Sequence, residues 1–277
     1  MKNHTKYFLL FLLIFASVLF SACSVPAVRK DFTIDGDHGK LSAVLHTPKN
    51  KKSYPLVIIM HGFNANKEMY LLTDLSAQLN KRGIATLLFD FNGHGQSEGS
   101  FLDMTILNEL KDARHVYRYA EKLPKVKSVS MAGHSMGAVV AAMLAGELGK
   151  DKIKTIVLMS PAPELKEDTA KGDLFGVRFD TKNVPEYITL SNGLKVGRAF
   201  LQTTPNIPIY ETAKNYTGPI IIFHSEDDQL VPYRYGVEFS KIYKNAILKT
   251  LYGLDHNFTQ DTPAVNKQIA DYLAKQL

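Results

Sequence analysis

Residues 126–148 read VKSVSMAGHSMGAVVAAMLAGEL, with Ser135 at the centre of the turn Gly133-His-Ser-Met-Gly137. Residues 126–131 predict a buried strand. Residues 136–148 are apolar almost all round, which is typical of a buried helix. The two glycines suit a sharp turn that leaves little room for a Cβ atom. The stretch therefore predicts a strand, a tight turn and a buried helix in direct succession, with the serine hydroxyl presented at the turn.

Strand-like and helix-like segments alternate along the rest of the chain from about residue 30. Short apolar runs predict further strands at residues 40–47, 55–60, 84–89, 154–159, 219–223 and 246–251. Helices are predicted at residues 66–82, 105–123, 233–243 and from residue 262 onward. Such alternation implies a mostly parallel, doubly wound sheet with helices on both faces. With a strand–turn–helix around a serine, it predicts an α/β-hydrolase fold over residues 31–277.

One stretch, residues 161–217, interrupts this alternation. Its 57 residues contain scattered helical signals and no strong strand, and a plain connection of that length is uncommon. We therefore predict an inserted cap over the carboxyl edge of the sheet. Its apolar residues include Leu174, Phe175, Phe179, Phe200 and Leu201, and some of them must form a small core of the cap itself.

The chemistry predicted for Ser135 needs a base and an acid that orients the base, because a serine hydroxyl is a weak nucleophile. In this fold the order along the chain is serine, acid, histidine. Only two of the nine histidines follow Ser135. His224 ends a predicted buried strand, which favours a structural role. His256 lies between the last strand and the closing helix, so it is the predicted base.

The acid is predicted in the run Ser-Glu-Asp-Asp at residues 225–228, directly after a buried strand. We favour Asp228, because its spacing before Val231-Pro232 suits a carboxylate that reaches the imidazole. Asp227 and Glu226 stay open as alternatives. Asp255 adjoins His256, but consecutive side chains in a loop rarely face each other.

An oxyanion formed during acyl transfer needs preorganised donors, usually two backbone N–H groups. One is predicted at Met136, directly after the nucleophile, and the other in the loop after the early strand. That loop contains His61-Gly62-Phe63, and we predict the N–H of Phe63 as the second donor. His61 precedes the nucleophile, which favours a role in shaping the loop.

The first 22 residues predict an export signal. Lys2 and Lys6 accompany a nearly unbroken apolar run of fourteen residues, 7–20, which is short for a membrane-spanning helix. The run ends in Phe20-Ser-Ala-Cys23, which resembles a bacterial lipobox, in which the cysteine receives a lipid. Residues 23–30 would then be a tether, and the protein an exported, membrane-anchored bacterial lipoprotein. An uncleaved anchor and a simply buried cysteine are the alternatives.

Composition excludes several other classes of protein. The 277 residues are 45% hydrophobic and 22% charged, which is typical of one globular domain with or without an insertion. The formal net charge of +6 comes from dispersed lysines and not from the concentrated basic stripe that nucleic-acid binding needs. No internal repeat or low-complexity segment is present.

Four segments resemble bacterial cinnamoyl (feruloyl) esterases from about residue 30 to the C-terminus. They are HGFNAN at 61–66, FDFNGHGQSEG at 89–99, GHSMG at 133–137 and PIYE at 208–211. The resemblance implies an esterase without a metal or other cofactor that acts on hydroxycinnamates or similar small aryl and alkyl esters. It also supports Asp228 as the acid and Phe63 with Met136 as the donor pair, although many members carry Gln at the position of Met136.

Phe175 and Phe200 are the cap residues expected to line the substrate pocket, where they offer no hydrogen bond to a phenolic hydroxyl. A lysophospholipase or monoacylglycerol lipase is the main alternative, favoured by the predicted tether and the apolar cap. A serine peptidase and a non-catalytic surface-binding lipoprotein are further alternatives. The predicted partners are a small ester and, through Cys23, a membrane.

Overall fold

The computed structural model describes residues 27–277. Its strands are β1 (Ala27–Asp35), β2 (Lys40–Pro48), β3 (Tyr54–Met60), β4 (Ala85–Phe89), β5 (Val126–His134), β6 (Ile153–Met159), β7 (Asp173–Leu174), β8 (Val177–Arg178), β9 (Tyr187–Thr189), β10 (Lys195–Gly197), β11 (Ile220–Ser225) and β12 (Ala246–Leu251). Its helices are α1 (Tyr70–Lys81), α2 (Ile106–Glu121), α3 (Met136–Leu148), α4 (Glu164–Lys171), α5 (Arg198–Thr203), α6 (Ile209–Ala213), α7 (Arg234–Ile242) and α8 (Thr262–Gln276). The predicted export signal and Cys23 lie outside the described residues. Among the helices of residues 27–277, none is long and apolar enough to cross a membrane.

Eight strands form one sheet in the order β1-β2-β4-β3-β5-β6-β11-β12. From β4 to β12 in this order, all neighbouring strands pair in parallel. The pairs β1–β2 and β2–β4 are antiparallel. The prediction of a mostly parallel sheet is therefore confirmed. Parallel strands end at one edge of the sheet, so the loops after β3, β5, β11 and β12 meet there.

Helices cover both faces of this sheet, as the alternation of side chains along β3 makes clear. Leu56, Ile58 and Met60 belong to one core cluster, which also contains the buried faces of α2 and α3. Val57 and Ile59 belong to a second cluster, with α1 and α8. Because successive side chains of a strand point to opposite faces, these clusters lie on the two sides of the sheet. A strand buried on both faces is apolar throughout, as β3 is.

The first strand corrects one boundary of the sequence prediction. Residues 27–30 were predicted as part of a tether, but they pair with β2, with Ala27 opposite Pro48 and Lys30 opposite Leu45. In β1 only Ile34 is buried. A strand at the edge of a sheet with one buried side chain lacks the apolar pattern by which strands are recognised in a sequence.

The insertion between β6 and β11 packs on the sheet domain and shares its core. It contains α4, α5, α6 and two small ribbons, β7–β8 and β9–β10, although the sequence indicated no strong strand there. These strands have only two or three residues each, too few for a periodic signal. Phe200, Leu201 and Ile209 of the insertion lie in the same core cluster as α3. The insertion is thus a covering layer that continues the core of the domain.

Candidate active site

Ser135 occupies a strained turn between β5 and α3. Its φ is 57° and its ψ −123°, a backbone conformation that residues with a Cβ rarely adopt. The two glycines of the turn permit it, because a Cβ on Gly133 would overlap the carbonyl of Gly137, and a Cβ on Gly137 would overlap that of His61. The N–H of Ser135 donates to the carbonyl of Met159 at 2.9 Å. The turn is therefore held between β3 and β6.

The loop after β3 lies directly against the serine. A Cβ on Gly62 would lie 2.8 Å from Cβ and 3.3 Å from Oγ of Ser135. His61 braces this loop, because its Nδ1 donates to the carbonyl of Gly62 at 2.9 Å and its Nε2 accepts from the N–H of Phe91 at 3.1 Å. Burial lowers the pKa of His61 to about 3, so the ring is neutral and keeps this tautomer.

The two predicted oxyanion donors lie beside Ser135. Met136 is the first residue of α3, and the N–H at that position has no intrahelical partner. Phe63 lines the same cavity as Ser135. Within residues 27–277 its N–H donates no backbone hydrogen bond. Both N–H groups are thus available to a negatively charged oxygen formed next to the serine.

His256 lines that cavity as well, and a carboxylate orients its ring. Nδ1 of His256 lies 2.8 Å from Oδ2 of Asp228, so the ring donates to the acid and its Nε2 is left as the basic atom. Nε2 is buried and has no hydrogen-bond partner among the residues that the structure describes. The contact between the base and the serine hydroxyl often tightens only when substrate binds. The structure brings Ser135, His256 and Asp228 together in one site.

Both carboxylate oxygens of Asp228 accept hydrogen bonds. Its Oδ1 accepts from the N–H groups of Leu230 and Val231, each at 2.9 Å. Its Oδ2 accepts from His256 and lies 3.3 Å from Nε2 of His224. Burial alone would raise the pKa of Asp228, but the contacts of its Oδ2 with the rings of His224 and His256 outweigh burial and hold this pKa well below the ordinary value. Asp228 therefore remains ionised at neutral pH.

The other acids near His256 do not hydrogen-bond to its ring. Oδ2 of Asp227 accepts from the N–H of Gly253 at 2.6 Å, and Glu226 is exposed. Asp255 accepts from the N–H groups of Asn257 and Thr259 and from the hydroxyl of Thr259. Of the sequence candidates, only Asp228 hydrogen-bonds to the ring of His256.

Sequence reasoning missed two residues that hold the backbone of His256. Nε2 of His134 donates to the carbonyl of His256 at 3.0 Å, and the hydroxyl of Ser160 donates to the same oxygen at 3.2 Å. Burial, with His256 nearby, lowers the pKa of His134 to about 3, so this ring is neutral. In the sequence, the only signal for this role of His134 was its position directly before Ser135 in the turn Gly133-His-Ser-Met-Gly137. The residue before the serine thus holds the loop that carries the base.

These groups surround a cavity of about 360 Å³, a size that suits a small molecule. Phe175 lines it and is 40% exposed. The prediction for Phe200 is wrong: this side chain is fully buried and is not among the lining residues. Its ring instead packs 5.7 Å from the ring of Phe63, because α5 turns it towards the core beneath the cap.

Glu164, the first residue of α4, also lines the cavity and was not singled out from the sequence. It is 6% exposed, and its Oε2 has no hydrogen-bond partner within residues 27–277. A helix N-terminus stabilises a carboxylate by about 0.3–1 kcal/mol, whereas burying an unpaired charge costs several kcal/mol. Burial therefore dominates, reinforced by Asp168 and Asp228, and raises the pKa of Glu164 well above its ordinary value.

Gly62→Ala tests how closely the loop approaches the serine. The added methyl group would displace Ser135 or the Phe63 donor, so we expect kcat/KM to fall about a hundredfold, as small misplacements of reacting groups do. Gly149→Ala is the control, because a Cβ there meets no atom within 4 Å, although its φ of 78° is strained. It should lower the melting temperature and leave the rate unchanged. A Gly62→Ala protein with full activity would contradict the close packing described.

Comparison with known proteins agrees with the fold and with the position of Ser135 in it. The Hydrolase_4 family, described as "Serine aminopeptidase, S33", matches residues 51–192, just over half of the chain. The structure of Est1E from Butyrivibrio proteoclasticus with bound ferulic acid superposes with a TM-score of 0.85 at 35% identity, covering 88% of this chain and 98% of Est1E.

Curated relatives are more distant. The human protein ABHD12B is 25% identical over 80% of this chain, and so is the lysophosphatidylserine lipase ABHD12 of Xenopus tropicalis. The match spans 61% and 58% of the length of these two relatives. The family match and the similarity to Est1E both fall on the domain that carries Ser135. The chain belongs to the Hydrolase_4 family and is a serine hydrolase with the α/β-hydrolase fold.

Proposed function

We propose that this protein is a serine carboxylesterase that hydrolyses small aryl and alkyl carboxylic esters through an acyl-enzyme on Ser135. The observation that carries the proposal is the hydrogen bond from His256, which lines the same cavity as Ser135, to the buried, ionised Asp228. It supplies an oriented base beside a serine at a nucleophile turn.

In this mechanism Nε2 of His256 takes the proton of Ser135 while Oγ attacks the ester carbonyl. The N–H groups of Phe63 and Met136 stabilise the oxyanion of the tetrahedral intermediate. The intermediate collapses as the alcohol leaves with the proton from His256, and the acyl group stays on Ser135. His256 then deprotonates a water molecule, which attacks the acyl carbonyl. The carboxylic acid is released and Ser135 regains its proton.

The lining of the cavity supports an uncharged substrate. No lysine or arginine of the described part of the chain lines it, and its charged-type side chains are those of Glu164 and the histidines. An anionic head group would be buried there without a countercharge, which is costly. Est1E, 35% identical, is solved with ferulic acid bound, and this supports small aryl acyl groups as substrates.

A lysophospholipase or monoacylglycerol lipase is the second candidate. Phe175 and Leu230 line the cavity and are also 40% and 53% exposed, so apolar side chains stand at its mouth where a lipid chain would enter. The relatives named lysophosphatidylserine lipase favour the same candidate. Among lipids, the uncharged lining favours a monoacylglycerol over an anionic lysophospholipid.

A substrate panel tests these functions. We expect the purified protein to hydrolyse nitrophenyl acetate and butyrate and methyl ferulate faster than nitrophenyl palmitate, monoolein or lysophosphatidylserine. Faster hydrolysis of the long-chain lipids would favour the lipase. Hydrolysis of aminoacyl nitroanilides in preference to esters would favour a peptidase. A folded protein that hydrolyses none of them, and whose Ser135 is not labelled by a fluorophosphonate, would favour a binding protein.

We also propose that the enzyme works outside the cytoplasm, tethered by a lipid on Cys23. The support is the sequence of residues 1–23 alone. Cys23→Ser should move the enzyme from the membrane fraction to the soluble fraction and abolish labelling by a fatty-acid analogue. Ser24→Ala, the neighbouring control, should leave both unchanged. Membrane retention of an unlabelled Cys23→Ser protein would indicate an uncleaved anchor instead.

A further inference from the structure

The polar residues that line the cavity differ in their exposure to solvent. Asn64, Ser191 and Asn192 line the cavity and are exposed to solvent. Glu164 is buried beside Ala162 and Leu165. Among the described residues that line the cavity, Glu164 is the only one with a carboxyl group. Asn257 also lines the cavity and is half-buried, so the fully buried part of the lining is apolar except for the site residues and this acid.

One oxygen of this acid has no partner in the described part of the protein. Oε2 of Glu164 has no hydrogen-bond partner, and no lysine, arginine or histidine within residues 27–277 forms an ion pair with it. An unpartnered polar group that is buried destabilises a fold. Such a group in a native protein has a specific reason, such as a catalytic role or a water or ion that completes it. Since Glu164 lines the substrate cavity, the substrate is the natural partner.

The neutral form of the acid determines what it recognises. A protonated carboxyl group offers one O–H donor and retains acceptor capacity. A hydroxyl group likewise donates and accepts, so the two form a reciprocal pair. An alkyl group offers neither, and binding it would leave the acid unsatisfied. An ammonium group would need the ionised form, which burial and the nearby Asp168 and Asp228 oppose.

We propose that Glu164 is a specificity-determining residue whose neutral carboxyl group hydrogen-bonds to a hydroxyl group of the substrate. The preferred substrates are then uncharged esters that carry a hydroxyl on the acyl or the alcohol part. This inference rests on the proposed function and narrows its substrate class.

Matched pairs of esters test the proposal, each pair differing by hydroxyl substitution. The pairs are methyl cinnamate with methyl p-coumarate, ethyl hexanoate with ethyl ω-hydroxyhexanoate, and propyl with glyceryl hexanoate. The wild-type protein should prefer the hydroxylated ester of at least one pair about three- to tenfold in kcat/KM, the effect of one hydrogen bond. The ratio within a pair is the readout, because it cancels general losses of activity.

Three variants separate the roles that Glu164 could have. Glu164→Gln keeps a donor and an acceptor and should retain the preference. Glu164→Leu, or Glu164→Met if that protein fails to fold, should bring the ratio to about one. The apolar variants should also melt at a higher temperature, because they remove a buried acid whose Oε2 has no partner. If Glu164 had a purely structural role, these variants would melt at a lower temperature instead. Glu167→Gln, on the same helix but outside the lining, should keep the wild-type ratio.

The outcomes distinguish this proposal from the one on which it rests. A wild-type protein without a hydroxyl preference, or a preference that survives in Glu164→Leu or Glu164→Met, would overturn the role of Glu164 while the esterase stands. The proposed role would also be overturned if the wild-type protein preferred ethyl ω-aminohexanoate over ethyl hexanoate and Glu164→Gln lost that preference. Such a result would mean that Glu164 is ionised when it binds the substrate. Failure of the folded wild-type protein to hydrolyse any ester would instead refute the proposed function.

Discussion

Ser135→Ala is expected to lower kcat for ester hydrolysis by about a millionfold, to the level that binding and the oxyanion donors alone support. Without Oγ no acyl-enzyme forms, and His256 has no hydroxyl to activate. The loss should be the same for all esters that the wild-type protein hydrolyses. Hydrolysis of nitrophenyl butyrate and labelling by a fluorophosphonate probe measure it.

Ser128→Ala is a matched control for this variant. Ser128 lies near the start of β5, whereas Ser135 follows the end of this strand, and Ser128 is outside the substrate cavity. The control should keep wild-type activity and labelling. A Ser135→Ala protein that keeps more than a thousandth of the activity, or that is still labelled, would mean that another residue is the nucleophile.

Asp228→Asn should lower kcat about ten-thousandfold, with a much smaller change in KM. The amide removes the negative charge that stabilises the protonated ring of His256. Its NH₂ group can also face Nδ1, which would favour the wrong tautomer of the ring. Its remaining oxygen can still accept from the N–H groups of Leu230 and Val231, so the loop should stay folded. Steady-state kinetics and a melting curve separate the two effects.

Asp227→Asn gives the comparison that this prediction needs. Asp227 is adjacent, carries the same carboxylate group and accepts from the N–H of Gly253, a bond that the amide oxygen of asparagine can keep. We expect its kcat to stay within about tenfold of the wild type, because this residue does not contact His256. A larger loss in Asp227→Asn than in Asp228→Asn would reverse the assignment of the acid.

Much of the fold could be predicted from local sequence patterns. The buried strand, the turn with two glycines and the apolar helix at residues 126–148 carry their own signals, because apolar periodicity and glycine positions act over a few residues. The prediction failed at β1, where Ile34 is the only buried side chain. It also failed to find the short ribbons of the insertion, since strands of two or three residues are too short to show a period.

The candidate site was predictable where the order along the chain constrained it. His256 could be chosen because only two histidines follow Ser135 and one of them ends a strand. Phe175 and Phe200 could not be told apart, because both are aromatic residues of one insertion. Only the packing distinguishes them. The ring of Phe200 packs against the ring of Phe63 and does not line the cavity, whereas Phe175 lines it.

The sequence by itself determined the nucleophile turn, the alternation of strands and helices, and the order of serine, acid and histidine. Tertiary structure alone decided which carboxylate orients the base, that His134 and Ser160 hold its backbone, and that Glu164 is buried in the cavity without a partner. The physical reason is the range of the interactions. A turn or an amphipathic period depends on neighbours along the chain, whereas His134 and His256 lie 122 residues apart and yet share a hydrogen bond.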